Sequence, residues 1–219
     1  MCVALDQDLE GRGPAELEAL LEPVELDAGA VLFEEGQEVR KSYNLTSGCL
    51  KLYKLLPDGR RLVTDFLYPG DFLGLAEQET HTCTAEAVTP ATLCRFERSA
   101  LENLVQRHVC LERHLLARAR AELAGAREQL LLLGQKSARE RVASFILTQS
   151  ACAVSRGLVA SPVDTPMRRS DIADHLGLTT ETISRILTTL TRAGLISRES
   201  GRRIHIRDAE GLSGIAAGF

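Results

Sequence analysis

The 219-residue sequence lacks the signatures of a membrane protein, a disulfide-stapled domain and a zinc site. No apolar run approaches the roughly 20 residues of a membrane-spanning helix, and no charged, apolar and small-residue signal peptide opens the chain. The six cysteines, at positions 2, 49, 83, 94, 110 and 152, include no CxxC pair. They therefore predict neither a disulfide framework nor a zinc site. We expect a cytoplasmic protein in which most cysteines are small buried side chains.

Sequence signatures of common enzymes are also missing. The chain has no G-x-S-x-G elbow, no Gly-rich phosphate loop and no H-E-x-x-H helix. Cupin-type barrels typically begin their metal site with an H-x-H pair, and the five histidines (81, 108, 114, 175 and 205) form no such pair. We expect a protein that is not an enzyme and that holds no metal.

The net charge of −4 alone argues against nucleic-acid binding, but its distribution argues for it. Residues 1–135 carry 14 Lys and Arg against 22 Asp and Glu, whereas residues 136–219 carry 12 against 8. This asymmetry indicates that only the C-terminal part meets phosphates.

Residues 167–196 have the pattern of a helix-turn-helix. The spacing predicts a first helix from Arg169 to about Leu176, with Ser170 capping its start. Gly177 is free of the steric cost of a left-handed turn. A helix followed by a short Gly turn is the geometry that leads a second helix into the major groove of DNA.

The second helix is expected to start at Thr179 or Thr180 and to end near Ala193, before Gly194. Its apolar positions can share a small core with the first helix. The opposite face is left with Thr179, Thr180, Glu181, Ser184 and Arg185.

Further signals frame this unit. Residues 196–206 alternate apolar and polar around Ser200-Gly201, which predicts a hairpin and makes the unit a winged helix. Residues 138–148 predict another helix that packs on it, residues 134–136 a hinge, and residues 153–166 a loop with a short strand.

The N-terminal part predicts an antiparallel β-roll or jelly roll. Short apolar segments between Val24 and about Arg95 are separated by Gly and Pro turns at fairly even intervals, as in such barrels. Pro14 to Leu21 predicts a short helix. The predicted strand segments lie at 31–33, 43–45, 49–53, 62–66, 72–73, 82–85 and 92–96.

From Ser99 the apolar period changes to three and four over about nine helical turns, with a stutter near Ala119 and Leu123. A stripe this long and narrow is typical of a coiled-coil seam and predicts a homodimer. The alternative is a helix that lies wholly on its own domain. The predicted dimer interface comprises Leu101, Leu104, His108, Leu111, Leu115, Leu123 and Leu130.

The resulting order is an α+β chain: a β-roll sensor-like domain (1–98), a dimerisation helix and hinge (99–135), and a winged helix-turn-helix domain (136–219). This order resembles the Crp/Fnr family of bacterial transcription regulators over almost the whole chain. The matching motifs are LPDGRR (56–61), YPGDFLG (68–74), KSARERVASFIL (136–147) and LGLTTETISR (176–185).

Within that family, Glu181, Ser184 and Arg185 look like the E-x-x-S-R signature of the Fnr/FixK branch. The cyclic-AMP branch carries Arg where this chain has Thr180. The side-chain chemistry agrees: Arg can form a bidentate pair with guanine, Glu can accept from cytosine, and Ser serves either type of base.

The resemblance implies a homodimeric activator that binds a TTGAT-N4-ATCAA-like palindrome. It also implies RNA polymerase as a protein partner and genes of low-oxygen or nitrogen-oxide metabolism as targets. Two recognition helices one helical turn apart fit such a site. The residues expected to contact the DNA backbone are Arg168, Arg169, Thr179, Thr180, Arg198, Arg202 and Arg203.

The sensor domain departs from the known effector patterns. Residues 74–83 offer Glu77 and Glu79 but no arginine for a cyclic phosphate, so we expect no cyclic-AMP binding. Cys94 lines up with one iron–sulfur ligand of Fnr proteins, but a cluster needs four thiolates. We interpret Cys94 as a buried structural thiol.

We therefore expect a FixK-like factor without a bound cofactor, controlled by its amount, with Cys152 as a candidate redox thiol. Three alternatives remain at this point: a haem-dependent regulator that uses His81 or His108, a repressor whose small-molecule effector fits the barrel, and a cupin-type enzyme with an appended helix-turn-helix.

Overall fold

The computed structural model describes residues 21–74, 79–199 and 202–218. Its chain forms two compact units, Met1–Gly125 and Ala126–Phe219. The predicted helix from Pro14 falls, except for Leu21, outside the described residues. No helix within the described ranges is long and apolar enough to cross a membrane.

The first unit contains two four-stranded antiparallel sheets, with strand orders β1-β8-β3-β6 and β2-β7-β4-β5. Each predicted strand segment falls within or overlaps an observed strand, and the predicted β-roll is confirmed. The strands are β1 (Glu22–Leu26), β2 (Val31–Phe33), β3 (Lys41–Ser47), β4 (Leu50–Leu55), β5 (Arg61–Leu67), β6 (Phe72–Leu73), β7 (Thr84–Ala87) and β8 (Ala91–Glu97).

Small and branched side chains from both sheets fill the interior of the roll. Leu45, Leu50 and Leu93 have no exposed surface, and burial of one such leucine stabilises the fold by about 1.5–3 kcal/mol. The turn between β3 and β4 closely approaches the turn before β8 at Gly48, where a Cβ atom would lie 2.4 Å from the carbonyl oxygen of Pro90. Only glycine fits there, because its φ of +87° is also in the left-handed region.

Two helices follow the roll, α1 (Arg98–Arg107) and α2 (Val109–Gln135). The prediction of one continuous helix from residue 99 is wrong. His108 interrupts it in an extended conformation and caps α1, with its N–H donating to the carbonyls of Leu104 and Val105. His108 therefore lies half-buried at the break between the two helices.

Helix α1 and the start of α2 complete a second apolar cluster of the first unit. Leu101, Leu104 and Leu111 are buried there with Cys94 and Phe96. Cys94 is fully buried there, as expected.

The second unit contains four further helices and a three-stranded antiparallel sheet of order β10-β11-β9. The helix predicted to end at Thr148 continues to Ser155, so residues 153–155 are not in a loop. The elements are α3 (Ala138–Ser155), β9 (Val163–Asp164), α4 (Arg169–Leu176), α5 (Thr180–Arg192), β10 (Ile196–Arg198), β11 (Arg203–Ile206) and α6 (Ala209–Ala217).

Candidate DNA-binding site

Helix α5 is held by one apolar face and by a side-chain cap. Ile183, Leu187 and Leu190 are buried at helical spacing, as expected for an amphipathic helix. The Oγ1 atom of Thr179 accepts the N–H of Thr182 at 3.1 Å and so caps the first turn. These contacts fix which face of α5 is left to solvent.

The exposed face of α5 carries the predicted base-reading residues. Glu181 and Arg185 form an ion pair across one turn, with side chains 70% and 77% exposed. Ser184 donates its hydroxyl hydrogen to the carbonyl of Thr180 at 2.9 Å. Because an exposed pair of this type contributes only about 0.3–0.5 kcal/mol, its side chains can separate to reach DNA bases at little cost.

The turn before α5 has the predicted left-handed glycine. Gly177 adopts φ +61°, and the N–H of Leu178 donates to the carbonyl of Ala173 at 2.9 Å. The start of α4 differs from the prediction. Arg168, not Ser170, is its N-cap residue, because the buried carboxylate of Asp171 accepts the backbone N–H of Arg168 at 3.2 Å.

Three of the predicted backbone-contacting arginines form a cluster near the start of α4 and the wing. The pKa of Arg169 is lowered, first by its partial burial and then by the positive charges of Arg198 and Arg202. Arg202 also donates to the carbonyl of Pro166. Mutual repulsion of these cations would be relieved by a bound anion such as a DNA phosphate.

The other two predicted arginines differ in their surroundings. Arg168 is exposed beside the start of α4. Arg203 of β11 forms an ion pair with Asp164 of the neighbouring strand β9, with Nε 2.9 Å from the carboxylate oxygen. To contact a phosphate, Arg203 would have to exchange or share this partner.

We expect Arg169→Gln to weaken binding to DNA of any sequence to a similar degree. The logarithm of the association constant falls with the logarithm of the salt concentration. Loss of a phosphate contact should make this slope less steep by about one for each Arg169 that contacts DNA. Titration of one duplex at several salt concentrations measures this slope. Arg139→Gln, at an exposed position of α3, is the matched control. An unchanged slope in Arg169→Gln would remove this residue from the interface.

The predicted dimer residues fall into two groups. Leu101, Leu104 and Leu111 belong to the core of their own unit and Leu115 packs against it, while His108 is half-buried at the helix break. Leu123 and Leu130 are 53% and 73% exposed.

Val109 and Leu116, which are not among the residues predicted for the dimer interface, are also exposed. With Leu123 and Leu130 they recur every seven residues along α2, and the four are called the apolar stripe below. The regular spacing of seven residues in the sequence could have indicated this stripe. The leucines of the neighbouring face, which are buried, have a similar spacing and obscured it.

The candidate ligands of the first unit are placed as follows. His81 is buried, and its ring stacks on Phe33 with centroids 3.6 Å apart. Of the residues 74–83 considered for a cyclic nucleotide, 75–78 lie outside the described part. Within the described part, no group of three or more His, Cys, Asp or Glu side chains could hold a metal ion. In the second unit, Cys152 is half-buried within α3.

A helix-turn-helix with an exposed polar recognition face and an arginine cluster beside a wing defines a DNA-binding transcription regulator. The family models of a cyclic nucleotide-binding domain and a Crp-like helix-turn-helix domain match residues 23–108 and 140–215.

Known relatives cover most of the chain. It is 38% identical over 194 residues to the nitrogen fixation regulation protein FixK of Bradyrhizobium diazoefficiens, covering 89% of this chain and 82% of that protein. It is 39% identical over 187 residues to the transcriptional activatory protein AadR of Rhodopseudomonas palustris, covering 84% and 78%. The solved structure of FixK2 from Bradyrhizobium japonicum matches with a TM-score of 0.84 and 34% identity, covering 91% of this chain and 98% of that one. The chain belongs to the Crp/Fnr family and is FixK-like.

Proposed function

We propose that this protein is a homodimeric transcription activator of the Fnr/FixK type that binds a TTGAT-N4-ATCAA-like palindrome. The observation that carries the proposal is the exposed set of Glu181, Ser184 and Arg185 on a helix whose opposite face is buried. In the major groove, Arg185 can pair with guanine, Glu181 can accept a hydrogen bond from cytosine, and Ser184 can bond to either type of base. Thr180, in place of arginine, favours the FixK type of half-site.

The apolar stripe supports the dimer. In the first unit Val109, Leu116 and Leu123 are exposed, and Ala119 lies three residues after Leu116, as the alternating positions of a parallel coiled coil require. The seven-residue period continues to Leu130 in the second unit. Leu101, Leu104 and Leu111 are left out of the proposed interface, because side chains buried in their own core offer no surface to a partner.

We propose the target genes and the protein partner from the similarity of this chain to its relatives. Matched proteins are named as a nitrogen fixation regulator and a transcriptional activator, which supports the activator role. Genes of low-oxygen or nitrogen-oxide metabolism as targets, and RNA polymerase as the partner, follow from the Crp/Fnr resemblance. Control by the amount of protein, without a bound cofactor, agrees with the burial of His81 against Phe33.

A regulator that responds to a small ligand is the second candidate. It is favoured by the match of residues 23–108 to the cyclic nucleotide-binding domain. The absorbance spectrum of the anaerobically purified protein tests the haem form of this candidate, because a haem band would support it.

Fluorescence anisotropy of the full chain on two duplexes tests the main proposal. One duplex carries TTGAT-N4-ATCAA and the other has the same base composition in scrambled order. At about 0.15 M salt we expect the palindrome to bind about 1,000-fold more tightly or better, with two chains per duplex. Equal affinities would contradict the proposed target, and one chain per duplex would contradict the dimer.

A further inference from the structure

The carbonyl groups at the ends of two helices converge on one side chain of the second unit, Arg141 in the first turn of α3. Its Nε donates to the carbonyl of Lys136 at 2.9 Å and its Nη2 to that of Leu133 at 2.9 Å. Leu133 lies in the last turn of α2, and Lys136 directly follows that helix. Nη1 of Arg141 donates to the carbonyl of Leu176 at 3.0 Å, the last residue of α4 before the helix-turn-helix turn.

This arrangement exploits two general properties of helices. The last carbonyls of a helix have no partner within it and carry partial negative charge. A guanidinium group is a planar fork of donors that can satisfy several such carbonyls at once, whereas the ammonium group of lysine cannot match the same three positions together. Arg141 is therefore suited to hold two helix ends in one fixed arrangement.

A second contact joins the same two regions. Gln129, in the part of α2 that belongs to the second unit, donates from Nε2 to the carbonyl of His175 at 2.8 Å. At Gly177, a Cβ atom would lie 3.3 Å from Nη1 of Arg141 and 3.5 Å from Cδ2 of Leu133. The turn that leads into α5 is thus packed and bonded by groups from outside the helix-turn-helix.

We propose that Arg141 is a positioning residue for DNA recognition, which ties the turn before α5 to the last turns of α2. The inference rests on the proposed function. In that function, Arg141 sets the direction of each recognition helix α5 relative to the C-terminal end of α2, the helix that carries the proposed dimer seam. Arg141 need not touch DNA. Its loss should leave the reading of one half-site intact and weaken the requirement for the four-base spacer.

Three variants of the full chain test this role. Arg141→Gln removes the charge and the fork, Arg141→Lys keeps the charge only, and Arg139→Gln is the matched control two residues earlier. Each is titrated with a TTGAT-N4-ATCAA duplex, an N6 duplex and a single half-site duplex. For Arg141→Gln we expect about a 30-fold loss of affinity on N4 and less than threefold change on the other two. The affinity of Arg141→Lys for the N4 duplex should lie between those of the parent and Arg141→Gln. Arg139→Gln should match the parent on all three duplexes.

Equal losses of affinity on all three duplexes would mean that Arg141 only supports folding. An unchanged affinity for the N4 duplex would mean that Arg141 has no part in recognising the palindrome. Either result overturns the proposal. Hydrogen–deuterium exchange of the free proteins gives a readout without DNA. In Arg141→Gln and Arg141→Lys, amides around 132–137 and 176–180 should exchange faster together, while amides of β3 and β8 stay unchanged. Faster exchange at only one of these two segments also overturns it. If the parent shows no preference for the palindrome, the proposed function fails, but the exchange experiment still decides the role of Arg141.

Discussion

Arg185→Ala should greatly weaken specific recognition of the palindrome. The loss of one bidentate contact to guanine costs about 1–3 kcal/mol of discrimination, and a dimer loses two of them. The dissociation constant for the TTGAT-N4-ATCAA duplex should therefore rise by about 30-fold to about 20,000-fold. Binding to the scrambled duplex should change little, because phosphate contacts supply non-specific affinity.

Arg192→Ala is the control for the lost charge, since Arg192 is exposed at the far end of the same helix. Circular dichroism melts of both variants test whether the unit stays folded, as an exposed position predicts. The assignment of α5 as the reading helix is wrong if Arg185→Ala protects the palindrome in a footprint as well as the parent does.

Leu123→Asp should convert the protein into monomers. It places a carboxylate in the apolar stripe of both chains and removes two leucines from the proposed seam, each worth about 1.5–3 kcal/mol when buried. A loss near 4 kcal/mol raises the dimer dissociation constant by about 1,000-fold. Sedimentation equilibrium measures this change. Because the leucine is 53% exposed in the single chain, the fold of the unit should survive.

Ala121→Asp is the matched control, because Ala121 is exposed on the same helix but two positions away from the stripe. The same charge there should leave the dimer intact. A Leu123→Asp protein that remains dimeric would show that the seam lies on another face of α2.

The recognition unit could be predicted closely because its determinants are local. The first helix was expected at 169–176 and is observed at Arg169–Leu176; the second, expected to about Ala193, ends at Arg192. A left-handed glycine, a threonine cap and an apolar period of 3.6 all act within a few residues of the elements that they define.

The apolar stripe that we propose as the dimer seam was harder to predict, because two apolar faces share one stretch of sequence. Leu111 packs into the first unit while Val109 and Leu116 stay exposed, and a period of three and four describes either face. The break at His108 has no glycine or proline to announce it. The contacts of Arg141 join residues 8 and 35 positions apart in sequence, and no local pattern reports such pairs.

If Glu181 and Arg185 read DNA bases as proposed, their ion pair also affects how the protein would move along DNA. Over an incorrect base pair the two side chains keep each other as partners, so neither is left as an unsatisfied charge against the groove. The protein would then not be trapped at near-matches and could slide on through its proposed phosphate contacts. Because the correct bases would have to compete with this internal partner, a dimer would bind tightly only where both half-sites separate the ion pair.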